Sequence, residues 1–168
     1  MKQQIILIVD DDKMILKSIL RILRNEDYQI LTAQSGQEGL TILKDYEVNL
    51  VISDQQMPGM NGLEFLKRAK KEYPQVLAIM LTGHAEVEIA MNAINEAGVY
   101  KFILKPWDDN DLKVTIRRAL ETLELIWERD SLLQRVKARD VILQDLENEY
   151  PGISKIERDE DGYIISDS

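Results

Sequence analysis

The sequence predicts an α/β protein built on a parallel five-stranded sheet, for three reasons. Short apolar runs alternate with segments whose apolar residues recur at helical spacing. The connections are only a few residues long, which favours repeated strand–helix units with right-handed crossovers. Four of the five apolar runs end in a polar or ionisable residue, and parallel strands bring such ends to one edge of a sheet.

The five apolar runs are predicted to be strands covered on both faces, because they are continuous and do not alternate with polar residues. They span residues 4–9, 28–33, 48–53, 76–81 and 99–104. Helices are predicted over 13–24, 35–46, 61–73 and 86–96, the second opened by a capping box of Ser35 and Glu38. In the fourth helix the spacing places four apolar residues along one face: Val87, Ala90, Met91 and Ile94.

A single long helix is predicted after the last strand, because no proline or glycine occurs between Trp107 and Pro151. Residues 109–149 would form a helix about 60 Å long, of which only the first turns can cover the sheet. Two rows then recur every seven residues: Leu125, Leu132 and Leu146, with Arg139 interrupting, and Val136, Leu143 and Tyr150. They predict a coiled coil between two copies of the chain, and the alternative is a single exposed helix.

The acidic end of the chain, residues 151–168, carries a hairpin signal with an Asp161–Gly162 turn. Such a hairpin would pack on the coiled coil, bind a partner or stay disordered, and the sequence leaves these alternatives open.

The amino-acid composition excludes several kinds of site and partner. The chain has 168 residues and no cysteine, which excludes disulfides, thiolate metal sites and a cysteine nucleophile. The apolar run near the start is too short for a signal peptide or a membrane span, so we expect a cytoplasmic protein without a membrane partner. A net charge of −9 argues against direct binding to nucleic acid.

The first strand ends in three adjacent carboxylates, Asp10, Asp11 and Asp12. Their mutual repulsion predicts a cation among them, and Mg²⁺ suits oxygen ligands. A helix cap accounts for Asp12 but not for the other two. Asp54 ends the third strand, and we interpret it as a nucleophile toward a phosphoryl group. Thr82 and Lys105 end the fourth and fifth strands, and a hydroxyl donor and a cation there would stabilise phosphoryl oxygens.

Residues 4 to about 120 closely resemble the receiver domain of two-component response regulators. The matching segments are I-L-I-V-D10-D11-D12, V-I-S-D54-Q-Q-M-P-G-M-N-G, I-M-L-T82-G-H and F102-I-L-K105-P. The resemblance implies a flavodoxin-like sheet in strand order 2-1-3-4-5. It implies that Asp54 takes phosphate from a sensor histidine kinase. It also implies Mg²⁺ bound directly by Asp11, Asp54 and the main-chain carbonyl of Gln56, and by Asp10 largely through water.

The same resemblance makes Thr82 and Phe102 a switch pair, in which the hydroxyl moves to the phosphate and the ring turns inward. Tyr100 competes for the aromatic role, but the spacing to Lys105 favours Phe102. Gln56 and His84 match positions that tune the rate of phosphate loss. His84 is the only histidine, and an exposed rim residue is a more ordinary interpretation than a metal ligand.

These observations predict a receiver domain over 1–122, a helical coiled-coil extension over 123–150 and an acidic tail. We expect a stand-alone, phosphorylation-controlled regulator that acts as a homodimer on an unknown downstream protein and is not an enzyme in its own right. Two alternatives are a phosphorelay intermediate that passes phosphate to a histidine phosphotransfer protein and the N-terminal part of a longer regulator. A phosphatase with an aspartyl nucleophile is disfavoured, because it typically needs an acid where Gln56 stands.

Overall fold

The computed structural model describes residues 2–153, and within them a five-stranded sheet carries five helices. The strands are β1 (Gln4–Val9), β2 (Tyr28–Ala33), β3 (Leu50–Asp54), β4 (Leu77–Thr82) and β5 (Lys101–Leu104). The helices are α1 (Lys13–Leu23), α2 (Gly36–Asp45), α3 (Gly62–Glu72), α4 (Val87–Ala97) and α5 (Asp109–Glu149), with a short 3₁₀ turn at His84–Glu86 before α4. The tail hairpin predicted from the sequence lies outside the described residues.

All paired strands are parallel and the order is β2-β1-β3-β4-β5, which confirms the predicted fold class. Alternate residues of each central strand lie in different hydrophobic cores, one on each face of the sheet. In β1, Leu7 and Val9 pack with α2, α3 and α4, whereas Ile6 and Ile8 pack with α1 and the first turns of α5. Burial on both faces explains why these strands are continuously apolar.

Side-chain caps begin four of the helices, and at α5 the Asp108 carboxylate accepts from the Asp111 amide at 3.0 Å. Asp12 accepts from the Met14 amide at 2.8 Å, and Asn61 accepts from the Glu64 amide at 2.9 Å. At α2 the Ser35 hydroxyl accepts from the Glu38 amide, as the capping box predicts, but the Glu38 carboxylate accepts from the amide of Gln34. Each cap satisfies an amide that has no partner within its helix.

Two features differ from the sequence prediction. The buried residues of α4 are Ala90, Ala93 and Ala97, whereas Met91 is 55% exposed and Ile94 is 37% exposed. The predicted face is therefore correct for Ala90 but not for Met91 and Ile94, because three alanine methyl groups and not the large side chains contact the sheet. Strand β5 is also shorter than predicted, since Val99 and Tyr100 precede it.

Contacts divide the chain into two compact units, Met1–Leu123 and Glu124–Ser168. Within the first unit α5 buries a stripe against the sheet, and Leu123 is the last buried residue of that helix. In the second unit the described large apolar side chains are mostly exposed, Leu125, Leu132 and Val136 among them. No helix among residues 2–153 is long and apolar enough to span a membrane.

Candidate phosphoacceptor site

Three carboxylates meet at the carboxyl edge of the sheet. Asp10 directly follows β1, Asp54 is the last residue of β3, and the two strands are hydrogen-bonded neighbours. Together with Asp11 they offer oxygen atoms that all lie within 4.8 Å of one another. Asp10 and Asp54 are buried, whereas Asp11 is exposed, so the cluster opens to solvent on one side.

Asp10 is the most deeply buried of the three, with 1% of its surface exposed. Its Oδ1 accepts a hydrogen bond from the Asp12 amide at 2.9 Å, but its buried Oδ2 has no hydrogen-bond partner. Burial, together with the negative charge of Asp54, raises the pKa of Asp10 to about 6, although the Asp12 amide acts in the opposite direction. A buried carboxylate oxygen that accepts no hydrogen bond, beside two further carboxylates, fits a hard divalent cation.

Lys105 supplies the positive charge within the site. Its Nζ donates to Asp54 Oδ1 at 2.7 Å and lies 3.6 Å from Asp10 Oδ2. Burial alone would lower the pKa of Lys105, but the hydrogen bond to Asp54 and the charges of both carboxylates raise it above its ordinary value. The Lys105 amide donates to the Thr82 carbonyl, and the Lys105–Pro106 peptide is cis. The lysine is therefore held as a cation against the proposed phosphoacceptor.

Thr82 and Phe102 lie on the adjacent strands β4 and β5. Thr82 is fully buried, and its hydroxyl donates to the neighbouring Gly83 carbonyl at 3.3 Å. Phe102 is half-buried against the core and pairs in register with Met80. The structure thus brings Thr82 to the same sheet edge as Asp54, while its hydroxyl bonds elsewhere.

Gln56 and His84 occupy the rim. Gln56 is exposed and lines an open cavity of about 460 Å³ beside Asp11. The other lining residues are Gln55, Met57, Pro58 and Asn61. His84 is exposed at the first position of the 3₁₀ turn, and it is not part of the carboxylate cluster found among the described residues.

Sequence reasoning missed the two residues that position the end of β3. Gln55 is 4% exposed; its Oε1 accepts from the Leu63 amide and its carbonyl accepts from the Gly62 amide, both at 2.9 Å. A Cβ on Gly62 would lie 2.2 Å from the Asp54 carbonyl oxygen, so only glycine fits there. The two hydrogen bonds to Gln55 and the close approach of Gly62 hold the start of α3 against the backbone of Asp54. No spacing rule links Gln55 to Leu63, although a polar residue directly after the acid is a weak signal.

The combination of Asp54, Lys105 and the other two carboxylates is suited to one kind of chemistry. Asp54 is a partly accessible carboxylate with a fixed lysine on one oxygen and two more carboxylates within reach of a common cation. Such a site can attract and neutralise a phosphoryl group next to a carboxylate nucleophile.

Comparison with known proteins identifies the family. Residues 6–117 match the model of the response regulator receiver domain. The chain belongs to the response regulator receiver family. The hydrogenase transcriptional regulatory protein HoxA of Cupriavidus necator is 37% identical over 120 residues, which cover 71% of this chain and 25% of HoxA.

Two other similar proteins support the same family membership. The nitrogen assimilation regulatory protein NtrX of Azorhizobium caulinodans is 37% identical over 139 residues, covering 82% of this chain and 30% of NtrX. The crystal structure of the receiver domain of an HD domain-containing protein from Pseudomonas fluorescens Pf-5 aligns with a TM-score of 0.71 at 35% identity. That alignment covers 73% of this chain and 98% of the crystallised domain. The receiver chain therefore spans about a quarter to a third of the length of these curated relatives.

Proposed function

We propose that this receiver is a phosphorylation-controlled regulator in which Asp54 accepts a phosphoryl group from a phosphohistidine of a sensor histidine kinase. The observation that carries the proposal is the hydrogen bond of 2.7 Å between Lys105 and Asp54 at the open carboxylate cluster. A structural salt bridge has no need of two further carboxylates, one of them buried with an oxygen that accepts no hydrogen bond.

In the proposed reaction an Asp54 oxygen attacks phosphorus and the P–N bond of the phosphohistidine breaks. The imidazole leaves and takes a proton from solvent. Lys105 then binds a phosphoryl oxygen, because the acyl phosphate places new negative charge where the Asp54 carboxylate stood. Asp10, Asp11 and the carbonyl of Gln56, together with Asp54, would hold Mg²⁺. The ion would neutralise the negative charge that four anionic groups bring together.

We infer that Thr82 and Phe102 report the phosphoryl group to the rest of the molecule. The Thr82 hydroxyl donates to a carbonyl at 3.3 Å, longer than the usual O–H···O distance, so little is lost when it turns to a phosphoryl oxygen. Phe102 is half-buried, so part of its ring surface can still be withdrawn from solvent. The phosphorylated state then differs in the surface near β5, and a downstream protein recognises that surface on a regulator that acts as a homodimer.

Gln56 and His84 are proposed to set the lifetime of the phosphoryl group. Both are exposed at the rim, where a side chain can admit or exclude the attacking water. Neither needs to contact Asp54 before phosphorylation.

The relatives indicate what kind of system this receiver regulates. HoxA is a transcriptional regulatory protein and NtrX a nitrogen assimilation regulatory protein, and each is longer than this chain. We infer that the receiver described here is the input part of such a regulatory system. Its net charge of −9 makes contact with other proteins a better output for it than direct contact with nucleic acid.

The decisive experiment is labelling with acetyl phosphate and Mg²⁺, followed by intact mass measurement. The wild-type protein should gain one phosphoryl group, Asp54→Asn should gain none, and EDTA should suppress the gain. Asp45→Asn, which removes an exposed carboxylate on α2, is the matched control and should label normally. Labelling that persists in Asp54→Asn would refute the assignment. Transfer from the labelled protein to a histidine phosphotransfer protein would support the phosphorelay alternative.

A further inference from the structure

We propose that Gln55 is a positioning residue for Mg²⁺ binding. Its side chain and main chain hold the backbone that leads into Gln56, so that the Gln56 carbonyl is already oriented as a ligand when the ion arrives. The proposal rests on the metal site of the proposed function and names the residue that prepares one of its ligands. In this proposal Gln55 acts through Gln56 and is not itself a ligand.

The side chain of Gln55 is buried, which is unusual for a glutamine. Only 4% of its surface is exposed, and it directly follows the last residue of β3. A buried carboxamide costs free energy unless its polar atoms are hydrogen-bonded. The Gln55 Oε1 atom accepts from the Leu63 amide at 2.9 Å. The side chain is therefore held in one place by the start of α3.

Hydrogen bonds also fix the main chain on both sides of Gln55. The Gln55 amide donates to the Leu81 carbonyl of β4 at 3.1 Å, and the Gln55 carbonyl accepts from the Gly62 amide at 2.9 Å. The Ser53 hydroxyl donates to the Asp54 carbonyl at 3.0 Å. The peptide group between Asp54 and Gln55 is thus bonded at both ends, and the next peptide group is bonded through its carbonyl. The chain therefore leaves Gln55 in a fixed direction.

The first amides of α3 are donors in this arrangement. An α-helix leaves its first amides without partners inside the helix. Here Gln55 accepts from the amides of Gly62 and Leu63, and the Asn61 side chain accepts from the Glu64 amide. Protein oxygens thus occupy the amino end of α3. This end of the helix anchors the backbone beside the carboxylates and is not left open for an anion.

Gln56 lies between two buried residues. Gln55 and Met57 are 4% and 7% exposed, whereas Gln56 is exposed. Among residues 2–153 no amide or side chain donates a hydrogen bond to the Gln56 carbonyl. Gln56 and Asp11 both line the open cavity of about 460 Å³. A carbonyl without a hydrogen-bond partner, close to a carboxylate, is a suitable ligand for a hard cation.

Preorganisation of the Gln56 carbonyl raises the affinity for the ion. If the main chain there sampled several conformations, only the fraction with a correctly oriented carbonyl would bind. The apparent dissociation constant would then rise by the inverse of that fraction. One hydrogen bond shifts such a population by a factor of about five. Loss of the bond between Gln55 and Leu63 should therefore weaken metal binding about three- to fivefold.

Binding of Mn²⁺ without a phosphoryl donor tests the proposal. Mn²⁺ prefers the same oxygen ligands as Mg²⁺, and the electron paramagnetic resonance signal of the free ion falls when it binds. Gln55→Asn keeps the carboxamide but is one methylene too short for the Leu63 amide, so it should weaken Mn²⁺ binding about three- to fivefold. Gln55→Glu keeps an acceptor oxygen at the same reach and should bind Mn²⁺ at least as tightly as wild type.

Asn49→Leu is the matched control. The Asn49 side chain accepts from the Ile5 amide at 2.7 Å, at the end of the strands opposite the carboxylates. Its loss breaks a bond of the same kind and should lower the unfolding free energy in urea, but it should change Mn²⁺ binding less than about twofold. Equal weakening in Asn49→Leu and Gln55→Asn would attribute the effect to a loosened fold and overturn the proposal. So would unchanged Mn²⁺ binding in Gln55→Asn, or weaker binding in Gln55→Glu.

Labelling with acetyl phosphate separates this proposal from the proposed function. Gln55→Asn should need about three- to fivefold more Mg²⁺ for half of its maximal labelling rate. At saturating Mg²⁺ it should reach the wild-type rate, because Asp54 and Lys105 are unchanged. A lower maximal rate with an unchanged Mg²⁺ requirement would refute the role of Gln55 alone. Wild-type protein that binds Mn²⁺ but takes no label would refute the proposed function, whereas the Mn²⁺ measurements would still decide the role of Gln55.

Discussion

Replacing Asp10 with asparagine is expected to stabilise the protein when no divalent cation is bound. The Asp10 carboxylate is buried, and its pKa is raised from the ordinary value of 3.8 to about 6, chiefly by burial. At 1.36 kcal/mol per pH unit, this rise means that the ionised side chain costs about 3 kcal/mol of unfolding free energy above pH 6. Asparagine removes the charge and keeps an oxygen for the Asp12 amide.

The pH dependence follows from the direction of the shift. Because the folded-state pKa lies above the ordinary value, the folded protein binds more protons than the unfolded chain between pH 3.8 and about 6. Stability therefore falls as the pH rises through this window, and the penalty is complete above it. The advantage of Asp10→Asn should be about 1 to 3 kcal/mol at pH 8, about half as large at pH 5 and nearly absent below pH 4.

Urea unfolding in EDTA, at pH 8 and at pH 5, measures both values. Asp11→Asn is the matched control, since it removes the same charge from an exposed carboxylate and should change stability little. Added Mg²⁺ should stabilise the wild-type protein more than Asp10→Asn, because the variant lacks one proposed ligand. If Asp10→Asn is destabilising in EDTA at pH 8, the account of Asp10 as a buried charge that costs stability is wrong.

Three other predictions concern different parts of the chain. Gly62→Ala should lower the unfolding free energy by about 1–3 kcal/mol in urea, because its Cβ meets two backbone atoms at the end of β3; Gly83→Ala, whose Cβ meets nothing within 4 Å, should change it little. A chain ending at Leu123 should be a monomer by light scattering, with a little over a third of the mass of the dimeric full chain, because it also lacks 45 of the 168 residues; an equal number of subunits in both would contradict the helical dimer. Gln56→Ala and His84→Ala should each alter the lifetime of the phosphorylated protein, and unchanged lifetimes in both would remove their proposed role.

Strand ends were the most predictable part of this receiver. The apolar runs are continuous because both faces of the sheet are covered, and one polar residue after each run is a clear signal. The convergence of Asp10, Asp54, Thr82 and Lys105 follows from parallel topology alone. What the runs could not reveal is the hydrogen-bonding partner of each side chain. The Thr82 hydroxyl donates to a carbonyl next in sequence, and Gln55 binds an amide eight residues away.

The packed face of α4 was less predictable, because periodicity analysis gives weight to large apolar residues. In this helix Ala90, Ala93 and Ala97 form their own row at the same helical period. Small residues let a helix backbone approach a sheet closely, and Met91 then lies outside the contact. The start of β5 was missed for a related reason: Val99 is 3% exposed without being a strand residue.

The alanine row on α4 has an energetic consequence. Three buried methyl groups contribute about 2–3 kcal/mol of apolar burial, whereas Leu16, Ile19, Ile22 and Leu23 of α1 contribute about 6–12 kcal/mol. Displacing α4 from the sheet thus costs far less than displacing α1. A single new bond of the kind a phosphoryl group offers is comparable with that cost. By this estimate α4 is held against the sheet less firmly than α1.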